Sequence, residues 1–226
     1  MKHLLLLSSL TFATFTAQAN IEQIDLAASQ VSTTKLAQLV EQTSSYEQAY
    51  ANYRLAITAN ITGQSQLTKT ALKDARESLE AMNQQQATAD SLALLASVYG
   101  MVIATDYSQA AILGPQSAVL LEQAQELEPE NPRVWLVKAI SAFNTPSMYG
   151  GGKDKAQTLA TQAISYFEQP CSDICWGHAE AYTWRGLAKQ EQGDIAGAQA
   201  DWQQALQVEA DYGWAKFLLS QQTANQ

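Results

Sequence analysis

Histidine and cysteine are almost missing from this sequence, with two of each in 226 residues. His3 falls in an amino-terminal stretch that reads as an export leader, which leaves His178 alone in the remainder. One imidazole cannot build a multi-histidine metal centre. It also leaves a Ser-His-Asp or Cys-His catalyst with a single candidate base. Basic residues are scarce as well, 13 against 22 acidic ones. That balance repels phosphate backbones and anionic lipid, and it argues against nucleic acid as a partner. Only 5 prolines and 11 glycines interrupt a chain dominated by alanine, glutamine and leucine. Such a composition favours helix throughout. Beyond the first residues no apolar run is long enough to cross a bilayer, so membrane insertion is not expected.

What is present begins with that leader. Lys2 and His3 give a short basic start, residues 4–15 are mostly apolar, and Ala17-Gln18-Ala19 is a small-x-small cleavage site. This is the pattern of a signal peptide over 1–19, too short to span a membrane. Cleavage is expected after Ala19, and no cysteine follows it to carry a lipid anchor. A periplasmic protein is expected, with secretion as the alternative. Residues 20–226 then form a single domain, more acidic still once Lys2 is gone.

Internal repetition is clearest near the carboxyl end. Residues 179–212 read AEAYTWRGLAKQEQGDIAGAQADWQQALQVEADY. Tyr182 is a large residue, Gly186 a small one, and Gly193-Asp194 a turn; Ala198, Trp202, Ala205 and Leu206 follow at helical spacing. Two antiparallel helices can approach closely only where small residues sit at their crossing, and large ones fill the space beyond. The same grammar recurs upstream. Residues 131–167 carry Trp135, Ala139, Ala156, Ala160, Ala163 and Ile164. Residues 89–129 carry Leu92, Leu95, Ala96, Tyr99, Leu121, Ala124 and Leu127. Residues 46–82 carry three tyrosines, Tyr46, Tyr50 and Tyr53, then Ala71, Leu72, Ala75 and Leu79. Helices over 33–42 and 212–222 would cap the two ends.

The last window resembles a tetratricopeptide repeat (TPR), whose unit is about 34 residues. Lys189 stands where the pattern has an aromatic, and Ala210 where it has a closing proline. The fold class implied is all-α, a TPR-like solenoid of about four hairpins at 46–82, 89–129, 131–167 and 179–212. An irregular helical bundle is the alternative.

The stretch Tyr149 to Ala156, YGGGKDKA, has the outline of a phosphate loop. It fails as one. Asp154, not Ser or Thr, follows Lys153, and no strand precedes it. It reads as a tight turn whose glycines allow positive φ, with Asp154 near the next helix start. This turn, with Trp176-Gly177 and Gly193-Asp194 in the same order, is similar to exported bacterial TPR-like proteins. That resemblance covers about 131–217 and implies a shared helical fold without naming an activity.

Cys171 and Cys175 form a C-x3-C pair, which in an oxidising compartment reads as a structural disulfide, with a redox role as the alternative. His178 reads as a surface residue at a helix start. No catalytic, cofactor or metal site is expected, and the protein is not expected to be an enzyme.

In TPR arrays the first helix of each hairpin lines the concave face. By resemblance, the groove-facing positions are the second, fifth, ninth and twelfth of each repeat. They are Arg133, Leu136, Ile140 and Phe143 in the third repeat, counted from Pro132, and Glu180, Thr183, Leu187 and Gln190 in the fourth, counted from Ala179. With Arg133 the only base among them, a carboxylate clamp is not expected. An apolar peptide or amphipathic helix of a partner protein fits better. The alternative is a small-molecule-binding accessory of a transport system, with a closed pocket behind an insertion at 100–116.

Overall fold

A computed structural model describes residues 11–171 and 173–224. The described chain is a run of helices: α1 (Thr11–Ser29), α2 (Thr33–Gln42), α3 (Ser45–Ile61), α4 (Ser65–Gln86), α5 (Ala89–Thr105) and α6 (Ala110–Leu127). There follow α7 (Pro132–Asn144), α8 (Lys153–Phe167), α9 (His178–Glu191), α10 (Ile195–Val208) and α11 (Gly213–Ala224). Among the described residues there is no strand.

Four hairpins form, α3 with α4, α5 with α6, α7 with α8 and α9 with α10. The first helices also touch one another in series, α3 to α5, α5 to α7 and α7 to α9, and so form one continuous layer. Helix starts are fixed by side-chain caps. Asn131 accepts from Arg133 N at 3.0 Å, and Asp194 Oδ1 accepts from Gly197 N at 2.9 Å. Thr88 and Ser91 cap each other's backbone at the start of α5. Each satisfies amides that the first helical turn leaves unpaired.

The small-residue crossing expected in the last repeat is present. Trp202 is fully buried between Ala198 and Ala205, and its Nε1 donates to Thr183 O at 3.3 Å. A Cβ on Gly186 would sit 2.4 Å from Trp202 Nε1, so the indole occupies the space any side chain there would need. Lys189 breaks the repeat pattern because its charge is used elsewhere. It pairs with Asp201 at 2.8 Å, beside an Arg185–Asp201 pair at 2.6 Å, and ties α9 to α10.

Two features differ from the sequence reading. Residues 100–116 are not an inserted loop: α5 continues to Thr105, a 3-10 turn covers Tyr107–Gln109, and α6 starts at Ala110. The extra length went into longer helices. A helix also precedes 33–42. In α1, Ile21, Ile24 and Ala27 lie on one face and are buried in the main core. Their spacing is helical, but it follows directly on the leader's apolar run, which masks it. Of the expected leader, residues 1–10 lie outside the described residues.

Candidate functional site

The layer of first helices curls until its two ends meet. Trp176 lies just before α9, yet its Nε1 donates to Tyr46 Oη of α3 at 2.9 Å, and its ring stacks on Tyr50 at 5.2 Å. The indole is 4% exposed. Gly177 beside it holds φ at +101°, and a Cβ there would meet Leu136 Cδ2 at 2.7 Å. The Trp-Gly pair thus needs both members: one supplies the wedge, the other a left-handed turn against Leu136.

A buried ionic group sits next to this wedge. Tyr50 Oη donates to Asp25 Oδ1 of α1 at 2.6 Å. Arg54 Nε lies 3.3 Å from the same oxygen, and Arg54 Nη1 lies 3.9 Å from Glu180 Oε2 of α9. One guanidinium therefore joins α1, α3 and α9. Burial raises the carboxyls of Asp25 and Glu180, and Arg54 opposes that in each. Glu209, after α10, faces Asp25, Arg54, Glu180 and Asp211. Burial first, then its carboxylate neighbours, push it up to about 7.

Along the same layer runs a ladder of aromatic rings. Phe143 of α7 meets Trp184 of α9 edge-on at 5.1 Å, and Trp184 meets Trp214 of α11 edge-on at 5.1 Å. Edge-to-face pairs at this spacing are favourable. All three rings are half-buried, as are Ile140 and Leu187 beside them. Trp184 Nε1 donates to Glu180 Oε1 at 3.3 Å, which joins ladder and ionic group.

The residues expected to line a groove divide between these surroundings. Ile140, Phe143, Leu187 and Gln190 keep partial exposure. Leu136 and Thr183 are fully buried, and Arg133 is 8% exposed. Those three are corrected from contact residues to packing residues. Arg133 is consumed by an ion pair with Asp90 that locks α5 to α7. Thr183 donates back to Ala179 O at 2.9 Å. The positional rule assumes an open concave face, and this layer is curled tight enough to bury its own centre. Glu180 points at Arg54 and Trp184. Sequence reasoning missed Trp184 and Trp214. Both stood in the sequence as tryptophans in a chain with only five, but neither occupies a groove position of the repeat.

The other singled-out residues are structural. His178, expected at the surface, is half-buried: its ring lies between Phe167 at 5.2 Å and Tyr182 at 5.5 Å. Burial lowers its pKa, and its Nε2 is buried without a hydrogen-bond partner among the described residues. The lowered pKa favours the neutral imidazole, stacked between the two rings. In the glycine turn, Gly150 and Gly152 hold positive φ, and a Cβ on Gly151 would collide with Thr145 O. Lys153 donates to Phe143 O at 2.8 Å and sits 3.3 Å from the Phe143 ring centre, so its charge serves the end of α7 and the ladder. Cys171 and Cys175 are joined in a disulfide with Cα atoms 5.8 Å apart. Among the described residues no group of three or more His, Cys, Asp or Glu side chains could hold a metal ion, and no helix is long and apolar enough to cross a membrane.

The raised carboxyls have a direct consequence for stability. A carboxyl raised in the folded state binds more protons folded than unfolded. For Glu209 that holds between its ordinary value of 4.5 and about 7. Stability contributed by its protonated form is therefore lost as pH rises through that window. Glu209→Gln should stabilise the protein by roughly 1–2 kcal/mol at about pH 8, discounted for partial exposure, and by little near pH 4.5. Melting curves of both proteins at the two pH values check this; parallel pH dependence would contradict it.

No family model matches the chain, and no curated protein sequence matches it. Solved structures do. The HusA haemophore from Porphyromonas gingivalis superposes with a TM-score of 0.56 at 22% identity, covering 81% of this chain and 96% of that one. TTC0263, a thermophilic TPR protein in Thermus thermophilus, gives 0.56 at 15% identity, covering 91% of this chain and 95% of that one. At these identities the likeness is one of fold. The four stacked hairpins, the small-residue crossings and these neighbours together give the chain a tetratricopeptide-repeat-like helical solenoid fold.

Proposed function

We propose that this is an exported, non-catalytic scaffold that binds a segment of a partner protein on its first-helix face. The observation that carries this reading is the half-buried ladder Phe143–Trp184–Trp214, flanked by Ile140, Leu187 and Gln190. Tryptophan is among the residues enriched where binding energy concentrates at interfaces. They lie on rigid helices, so little ordering cost accompanies binding. Export over a leader at 1–19 accords with the disulfide, which belongs in an oxidising compartment.

A second reading, a small-molecule carrier, is favoured by the fold shared with a protein described as a haemophore. A flat aromatic ligand would suit ring edges. The neighbouring Asp25, Glu180 and Glu209 oppose any ligand that brings carboxylates of its own.

A photo-crosslinking residue placed at Leu187, in the producing cell, separates these readings. Thr161, exposed on α8, provides the control position. The expected result is one polypeptide adduct from position 187, absent from position 161, on a protein whose first residue is Asn20. Equal adducts at both positions would remove the ladder from the interface. No adduct, with tryptophan fluorescence quenched by an added porphyrin, would favour the carrier. An intact leader on the recovered protein would contradict export.

A further inference from the structure

The binding face is not electrically neutral, and its charge points to the chemistry of what it binds. Asp25, Glu180 and Glu209 gather around one guanidinium, Arg54. Asp211, on the connection to α11, faces Glu209 and pairs with the exposed Lys216 at 2.9 Å. The other cation of the face, Arg133, is spent on Asp90. Lys153 is held at the far end of the ladder by Phe143 O. A surplus of carboxylate therefore lies along one side of the aromatic ladder. It is contiguous with the rings, because Glu180 accepts from the Trp184 indole one turn away on the same helix. Among the described side chains none donates a hydrogen bond to Glu209. The chain as a whole carries −9, so the long-range field has the same sign.

We infer that the partner segment is basic: an amphipathic stretch whose apolar side lies on Phe143, Trp184 and Trp214, and whose lysine or arginine side chains reach Glu209, the partly exposed carboxylate at the edge of the buried Asp25–Arg54–Glu180 group. This rests on the reading of the ladder as a protein-binding face. Two features of the site act together. Carboxylates in a partly desolvated setting attract a cation more strongly than they would in water. Ring faces beside them add cation–π attraction. An acidic or phosphorylated segment meets repulsion in the same place.

Proton linkage follows from the same geometry. Glu209 sits near half-titration around neutral pH, facing Asp25 of α1, Arg54 of α3, Glu180 of α9, and Asp211 and Tyr212 before α11. A cation seated beside it favours the ionised form, so binding expels a proton. Affinity should therefore rise as pH rises through about 7.

Three synthetic amphipathic peptides test this. They share one leucine face and differ in a polar face of lysine, glutamine or glutamate. Binding to the full exported protein is read by fluorescence anisotropy from about pH 5.5 to about pH 8. The lysine peptide should bind at least about tenfold more tightly than the glutamate peptide. Its affinity should strengthen with pH, and Glu209→Gln should flatten that dependence. Trp184→Ala, confirmed folded by its melt, should weaken every peptide that binds. Gln190→Lys, at a partly exposed position, should weaken the lysine peptide alone.

Equal binding of all three peptides would overturn the charge inference and leave the ladder reading standing. Binding of none would overturn both. A lysine preference that survives Trp184→Ala and Gln190→Lys unchanged would move the contact off this face and overturn the inference as well.

Discussion

One indole holds the ends of this array together. Trp176 precedes α9 in sequence but packs against α3, on Tyr46 and Tyr50. Deleting a buried side chain of this size typically costs about 3–5 kcal/mol, a large share of the stability of an ordinary domain. Its position also has a geometric effect. A stack of four hairpins gains its shape from small rotations between neighbours. Here a contact between the first hairpin and the segment before the fourth fixes the sum of those rotations. Ser29 O lies close to Gly213, so the amino-terminal α1 and the carboxy-terminal α11 also approach each other.

The consequences run outward from that constraint. Closing the layer buries Leu136, Thr183 and the Arg133–Asp90 pair, which in an open array would face a partner. It also brings Asp25, Arg54 and Glu180 from three separate helices into one group. Bringing carboxylates together out of water disfavours their ionised forms, and Glu209 at about 7 records that. Exposure then remains where the layer opens out toward α11, at Phe143, Trp184 and Trp214. Ladder and charge are thus two results of one closure.

Local grammar was readable in the sequence, and long-range contact was not. Gly186, Ala198, Trp202 and Ala205 could be assigned because helix packing in a hairpin depends on residues a few turns apart. YGGGKDKA could be assigned because a nucleotide loop has strict requirements that Asp154 breaks. The four hairpins and the disulfide pair likewise follow from spacing. By contrast, nothing near Trp176 announces Tyr46. The Trp-Gly pair was visible as a motif, but its purpose appears only with Leu136 and Tyr50 in place. Lys189 looked like a defect of the repeat and is half of an ion pair. Arg133 looked like a ligand-binding base for the opposite reason: its partner, Asp90, sits one repeat upstream at another groove position.

The wedge of Trp176 sets the curvature of the whole array. Its most direct test is the distance distribution between spin labels carried on unnatural residues at Gln38 of α2 and Gln221 of α11, both exposed. The native protein should give one narrow distribution. In Trp176→Ala, with helicity retained, the distribution should broaden and shift to longer distance as the two ends part. An unchanged narrow distribution would mean that the hairpin interfaces alone set the shape, and would contradict that role for the indole.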